Sequence, residues 1–207
     1  METFLIAPSE RARLSLRRYQ RNDEPCPHGY HNASAPIGFV PMTIGGEENY
    51  EFDSPEKPAK DDPRWPVKCE HCTYHFAPDD CWQLSIQPLY VAADGRETSL
   101  HDAPTGAMWD AFWLPDNYKI NGSGPCWIVR LPNGDDWTMG SNATNCPREG
   151  EDHDCWCVHG EAPKLTVDKN PEPGRTTCNA GGGSIWAGQG TERDWHGFLR
   201  DGQLVQA

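Results

Sequence analysis

Nowhere in the 207 residues is there an apolar run approaching the roughly 18 residues that a membrane helix needs, so no membrane span is expected. The opening seven residues are mostly apolar. They are too few for a secretory leader, lack a basic start and run into Pro8 and a set of arginines, so no signal peptide is expected. Positive charge is scarce: 18 Lys and Arg stand against 31 Asp and Glu, a net charge of −13. An acidic body repels phosphate backbones, which argues against direct nucleic-acid binding. The chain also lacks H-E-x-x-H, G-x-S-x-G and dinucleotide-binding fingerprints. Its one glycine-rich stretch, Asn179 to Ser184, has no Lys of a phosphate loop. His159-Gly-Glu161 matches the H-x-E of zinc deaminases, but the P-C-x-x-C that should follow it is missing. With nine Cys and eight His, a Cys–His pair can be drawn by chance alone. The expectation is a protein that is not an enzyme.

What the chain does have is punctuation, tryptophan and cysteine: 20 Gly, 19 Pro, 9 Trp and 9 Cys. Hydrophobic residues make up only 36%, but adding the glycines brings the chain near the usual globular range. Trp buries a large area and donates one N–H, so it suits a core or an interface. Strand and turn signals dominate from Val67 onward. Trp82 to Ile86 alternates apolar and polar, and Leu89-Tyr-Val91 runs into a turn at Asp94-Gly95. Cys126 to Leu131 and Asp136 to Met139 flank Asn133-Gly134, which favours a primed two-residue hairpin turn. Lys164 to Val167 reads as a strand, and His196 to Leu199 with Gln203 to Val205 flanks a second hairpin signal, Asp201-Gly202. Residues 103–114 read as a short helix or an aromatic loop.

The fold class expected is mainly β: a small β-rich globular domain with irregular loops, one main core and an extended N-terminal arm. Residues 67–207 would form the Cys- and Trp-rich domain, with Trp82, Trp127 and Trp137 buried together. Residues 1–66 would stand apart. Arg11, Arg13, Arg17, Arg18 and Arg21 against Glu2 and Glu10 give residues 1–21 a balance of +3, leaving −16 on the rest. Residues 9–21 read as a short helix, with Ser9 as N-cap and Ala12, Leu16 and Tyr19 near one face. Residues 45–66 are acidic and hold four prolines, which suggests an extended linker. Basic and acidic segments of this kind suit docking on other chains, so residues 1–30 and 45–66 are expected to contact partner proteins or copies of this one.

Nine cysteines without a secretory leader favour thiols and metal over disulfides. Cys69-Glu-His-Cys72 has the spacing by which two thiolates grip one tetrahedral Zn²⁺ from a tight turn. A redox CxxC would want a βαβ context, and plain structural thiols remain a third reading. A second pair of ligands must come from elsewhere. Cys146 with His153 and Cys155 is the richest source, and Cys26 with His28 and His31 is another; Cys81 and Cys178 are left spare. The candidate ligands are therefore Cys69, Cys72, Cys146, His153, Cys155 and Cys26, for a structural Zn²⁺.

The stretches CEHCTYHF followed by Trp82, GAMWDAFWL, SNATNC, HDCWCVHGEAPKLTVDKN, TCNAGGGSI and WHGFLRDGQL occur in this order between about residues 65 and 205. Together they resemble an uncharacterised cysteine-containing protein family of tailed phages and prophages. Two positions depart from it: Thr73 stands where the family has Gly, and Cys157 where it has an aliphatic residue, which ranks Cys157 below Cys155 as a ligand. The resemblance implies a phage origin and no chemistry. It leads to the expectation of a virion-associated structural protein, such as a capsid decoration or a head or tail accessory component. Such a protein would be made in the host cytoplasm and assembled into the particle. The alternative is an intracellular zinc-binding accessory protein acting on host or phage proteins.

Overall fold

The computed structural model describes residues 1–20, 26–45, 49–53, 55–120, 124–143, 146, 155–170, 178 and 182–207. The chain is mainly β, as expected. It divides into two compact units, one formed by Pro8–Tyr90 and the other by Met1–Ala7 with Val91–Ala207. The division therefore falls elsewhere than at residue 66, and the buried apolar side chains form separate clusters rather than one main core.

In the Pro8–Tyr90 unit the organising feature is a long antiparallel pair. Strand β1 (Phe4–Gln20) runs alongside β2 (His31–Ile44), in register from Arg11 opposite Pro41 to Gln20 opposite His31. The ladder shifts between Leu14 and Ser15, whose partners are Gly38 and Pro36, so Ile37 is an extra residue. A bulge is where a strand tolerates a proline, which cannot donate to the ladder. Strand β3 (Tyr50–Phe52) pairs with β2, and β4 (Cys81–Ala92) pairs with β1. Ala12 and Leu14 pack against Val40 and Met42 to make a small core.

Residues 9–20 are thus not helical, and Arg21 lies outside the described residues. Ala12, Leu14 and Leu16 are all buried, at a spacing of two. Alternation along a strand accounts for this burial, and the helical spacing from Ala12 to Leu16 is only its every-second-residue shadow. Nor do the two N-terminal segments stand apart from the core. Ile6, Ala12, Leu14 and Leu16 of the first are buried within this chain, and so is Trp65 of the second. Trp65 donates its indole N–H to the Ala59 carbonyl at 2.8 Å and meets the Trp82 ring edge-on at 5.1 Å.

In the other unit the first residues of β1 pair in parallel with β6 (Ala107–Asp110), Phe4 opposite Ala107. Strands β7 (Trp127–Arg130) and β8 (Asp136–Thr138) follow in antiparallel order. Residues 103–114 therefore carry a strand rather than a helix. Trp109 on it is 1% exposed. Preceding these, β5 (Glu97–Thr98) pairs with β4. A two-stranded sheet pairs β9 (Cys157–His159) with β10 (Thr166–Asp168), and a three-stranded one orders β11 (Ile185–Ala187), β12 (Trp195–Arg200) and β13 (Gln203–Gln206). The chain start is stitched to the last strand: the Met1 ammonium donates to the Leu204 carbonyl at 2.9 Å, and the buried Thr3 hydroxyl donates to Gly202 at 2.9 Å.

Both hairpin signals locate turns, but only one has the expected form. Asp201 and Gly202 both have positive φ, 45° and 69°, as a primed turn requires. At Asn133-Gly134 the loop is one residue longer. The Leu131 N–H donates to the Asp135 carbonyl at 2.8 Å across Pro132, Asn133 and Gly134, with Gly134 alone in the left-handed region. That is the three-residue turn with a glycine bulge, which Pro132 helps to set. Trp127 and Trp137 pack half-buried on the core of this unit, whereas Trp82 belongs to the other one, so the three do not share a core. Among the described residues, no helix is long and apolar enough to cross a membrane.

Candidate metal centre

The CxxC sits at the tip of a tight reversal. The Phe76 N–H donates to Val67 at 3.0 Å, the Cys69 N–H donates to Tyr74 at 2.9 Å, and Lys68 bridges His75. A second turn faces it. The Gly29 N–H donates to the Cys26 carbonyl at 2.9 Å, and the chain then enters β2 at His31. The two turns are tied directly: the Glu70 N–H donates to the Asn32 carbonyl at 2.9 Å, while the Glu70 carboxylate accepts the Ser34 N–H at 2.5 Å. The result brings Cys26, His31, Cys69 and Cys72 together, with their ligand atoms all within 4.8 Å of one another. Cys69 and His31 are buried, while Cys26 and Cys72 are half-buried.

His31 is oriented by its surroundings. Its Nδ1 lies 3.2 Å from the Cys72 sulfur, and its ring stacks on Tyr74 at 4.0 Å and 13°. The Tyr74 hydroxyl donates to Asp80 at 2.9 Å, and the buried Asp80 carboxylate also accepts the Ala77 N–H and the Gln20 amide, each at 2.6 Å. This chain of contacts fixes the imidazole plane from the far end of β1. Outer partners of this kind orient ligands in metal sites.

The sulfurs are electronically prepared. Burial pushes the Cys69 thiol up, but the backbone N–H groups of His71 and Asn32 donate to its sulfur, and the His31 and Cys72 side chains add to them, bringing it down to about 6. At Cys72 the Tyr74 N–H pulls the thiol down, yet burial and the adjacent Cys69 sulfur outweigh it and the thiol stays above its ordinary value. Each knuckle sulfur therefore receives the N–H of the residue two further on. A bound cation would displace the protons that the two thiols retain. Three sulfurs and one imidazole nitrogen within mutual reach match the donor set of Cys₃His zinc sites.

The expected source of the second ligand pair was thus only partly placed. Cys26 joins the CxxC, and His31 completes the set. Cys146 and Cys155 do not join it: they converge instead with Cys178, within 4.8 Å, in the other unit. His153 lies outside the described residues. Cys178, left spare by spacing, is the member that sequence reading missed. A third grouping, Cys157 with His159 and Asp168, lies on the β9–β10 hairpin, where Asp168 is in register with Cys157 and 3.1 Å from His159 Nε2. Cys81 is exposed, and Cys126 is buried away from all three groups. His28, the other candidate near Cys26, pairs its ring with His71 at 3.7 Å instead.

No family model matches the chain, and no curated protein or solved structure matches it either. What the geometry defines is a β-rich, cysteine-rich chain with Cys/His clusters able to hold a metal ion.

Proposed function

We propose that this protein is a virion-associated structural component of a phage particle, with a Zn²⁺ on Cys26, His31, Cys69 and Cys72 stabilising its Pro8–Tyr90 unit. The observation that carries the zinc reading is the convergence of those four side chains within 4.8 Å, from two turns tied by backbone hydrogen bonds. Four protein donors leave no open coordination position, which fits a structural rather than a catalytic ion. The need for such a clip follows from the small core: the unit's apolar clusters centre on Ala12, Leu14, Val40 and Met42, and on Ala33, Cys69 and Phe76. A metal staple on Cys69 would tie the second of these clusters to the turn that carries Cys26. The virion setting rests on the resemblance over about residues 65–205.

Two measurements test the two halves of the reading. Metal analysis of the chain purified without added zinc should find Zn²⁺ that Cys69→Ser removes; retention of all zinc in that variant would refute the site. Mass spectrometry of purified phage particles should find the chain in stoichiometric amount. Its confinement to the lysate, absent from the particles, would refute the structural role.

A further inference from the structure

The second cysteine group lies far from the first in the chain and has a chemistry of its own. Cys146, Cys155 and Cys178 come from three separate segments, and Cys155 and Cys178 are 3% exposed each. Their sulfurs converge within 4.8 Å, with Cys155 and Cys178 3.5 Å apart. The cluster is walled by the main core of its unit, where Trp156 meets Trp137 edge-on at 5.4 Å and donates its indole N–H to Ser141 at 2.9 Å. A cation is posted beside it: Lys169 Nζ lies 3.9 Å from the Cys178 sulfur, donates to the Cys155 carbonyl and sits 4.1 Å above the Trp156 ring.

We propose that Cys146, Cys155 and Cys178 form a second, separate zinc site, with Lys169 as its charge-compensating neighbour. On binding, each thiol releases its proton to solvent and each sulfur forms one bond to Zn²⁺, so three thiolates and one divalent cation carry a net charge of −1. Buried, that excess is costly unless a cation stands next to it, and the Lys169 ammonium supplies the opposite charge at the right place. Three soft sulfurs select zinc over hard cations. Water completes the coordination at the fourth vertex. Lys169 touches no metal; it is a positioning residue that acts through the field and through its bond to the Cys155 carbonyl. The site shares no ligand with the Cys26/His31/Cys69/Cys72 centre.

The test is metal stoichiometry and cobalt substitution on the full chain, purified under reducing conditions. Wild type should hold two zinc ions per chain, with Cys69→Ser and Cys178→Ser each holding one. Cobalt-loaded Cys178→Ser should lose the share of the thiolate-to-cobalt absorption that Cys69→Ser retains. Lys169→Met, which keeps the apolar stem, should weaken one of the two sites by roughly the 10–100-fold typical of outer-sphere partners and leave the other unchanged. One zinc in wild type, lost in Cys69→Ser and kept in Cys178→Ser, would overturn this proposal while sparing the first site. A Cys155–Cys178 disulfide in the reduced wild-type protein, seen as a mass lower by two thiol hydrogens, would overturn it as well.

Discussion

Trp109 shows what single residues contribute here. At 1% exposure on β6 it is the largest of the fully buried side chains, while Trp82, Trp127 and Trp137 keep part of their surface in water. Trp109→Ala should therefore cost on the order of 3–5 kcal/mol, and the same change at Trp127 distinctly less, read from urea denaturation midpoints. Composition announced that tryptophan mattered, but which of the nine are buried depends on pairing partners that no local pattern reveals. Cys126 carries a pH signature. It is buried, and burial, with the Asp110 charge next, pushes its thiol up to about 11. Its pKa in the unfolded chain is about 8.5. Below that value both states hold the proton and the thiol adds no pH dependence. Between about 8.5 and about 11 only the unfolded state ionises, so stability is lost as pH rises through that window. Cys126→Ala should accordingly show a smaller drop in melting temperature between about pH 8 and pH 10.5 than wild type does. An equal drop would mean the thiol is not held neutral.

At the scale of elements, the hairpins and most of β4 were legible, while β1, β2 and β6 were not. Asp201-Gly202 and Asn133-Gly134 announce their turns through local backbone chemistry, and β7, β8, β12 and β13 fall where alternation placed them. In β1, Ala12 and Leu16 satisfy a helical spacing as well as a strand one, and only the burial of Leu14 between them separates the two. Strand β2 carries Pro36, Gly38 and Pro41, residues that demote a strand reading; it exists because β1 supplies a ladder partner and a bulge at Ile37 breaks the ladder beside Pro36. Strand β6 is buried at Ala107, Met108 and Trp109 in succession, so it shows no alternation at all. In β12, Gly197 has a stricter requirement than its sequence suggests. A Cβ there would stand 2.4 Å from the Trp195 ring and 2.5 Å from the Val205 carbonyl. Gly197→Ala should cost about 1–3 kcal/mol by overpacking, measurable in the same urea titrations, and a neutral outcome would mean that the β12–β13 pair yields easily.

Over the whole molecule, each of the two units carries its own cysteine cluster, and that distribution governs how it should respond to metal removal. A strong chelator should raise amide hydrogen exchange around residues 26–34 and 67–76, the two turns that supply the ligands of the proposed zinc centre. Exchange that is unchanged there after complete zinc loss would mean the turns hold without a metal. The CxxC half of this centre was legible because two thiolates at that spacing form a local motif. Its other half was legible only as one of two sources: Cys26 stood among the candidate ligands with His31 beside it, but the choice depends on the pairing of distant turns, His31 and Cys72 being 41 residues apart in sequence. The same is true of Cys178, which meets Cys155 across 23 residues. The most direct measurement of the central claim is zinc X-ray absorption on Cys178→Ser, in which only the first site remains. It should show three sulfurs at about 2.3 Å and one nitrogen at about 2.0 Å. A shell of oxygen and nitrogen alone, or a zinc-free protein with Cys69 and Cys72 joined in a disulfide, would contradict it.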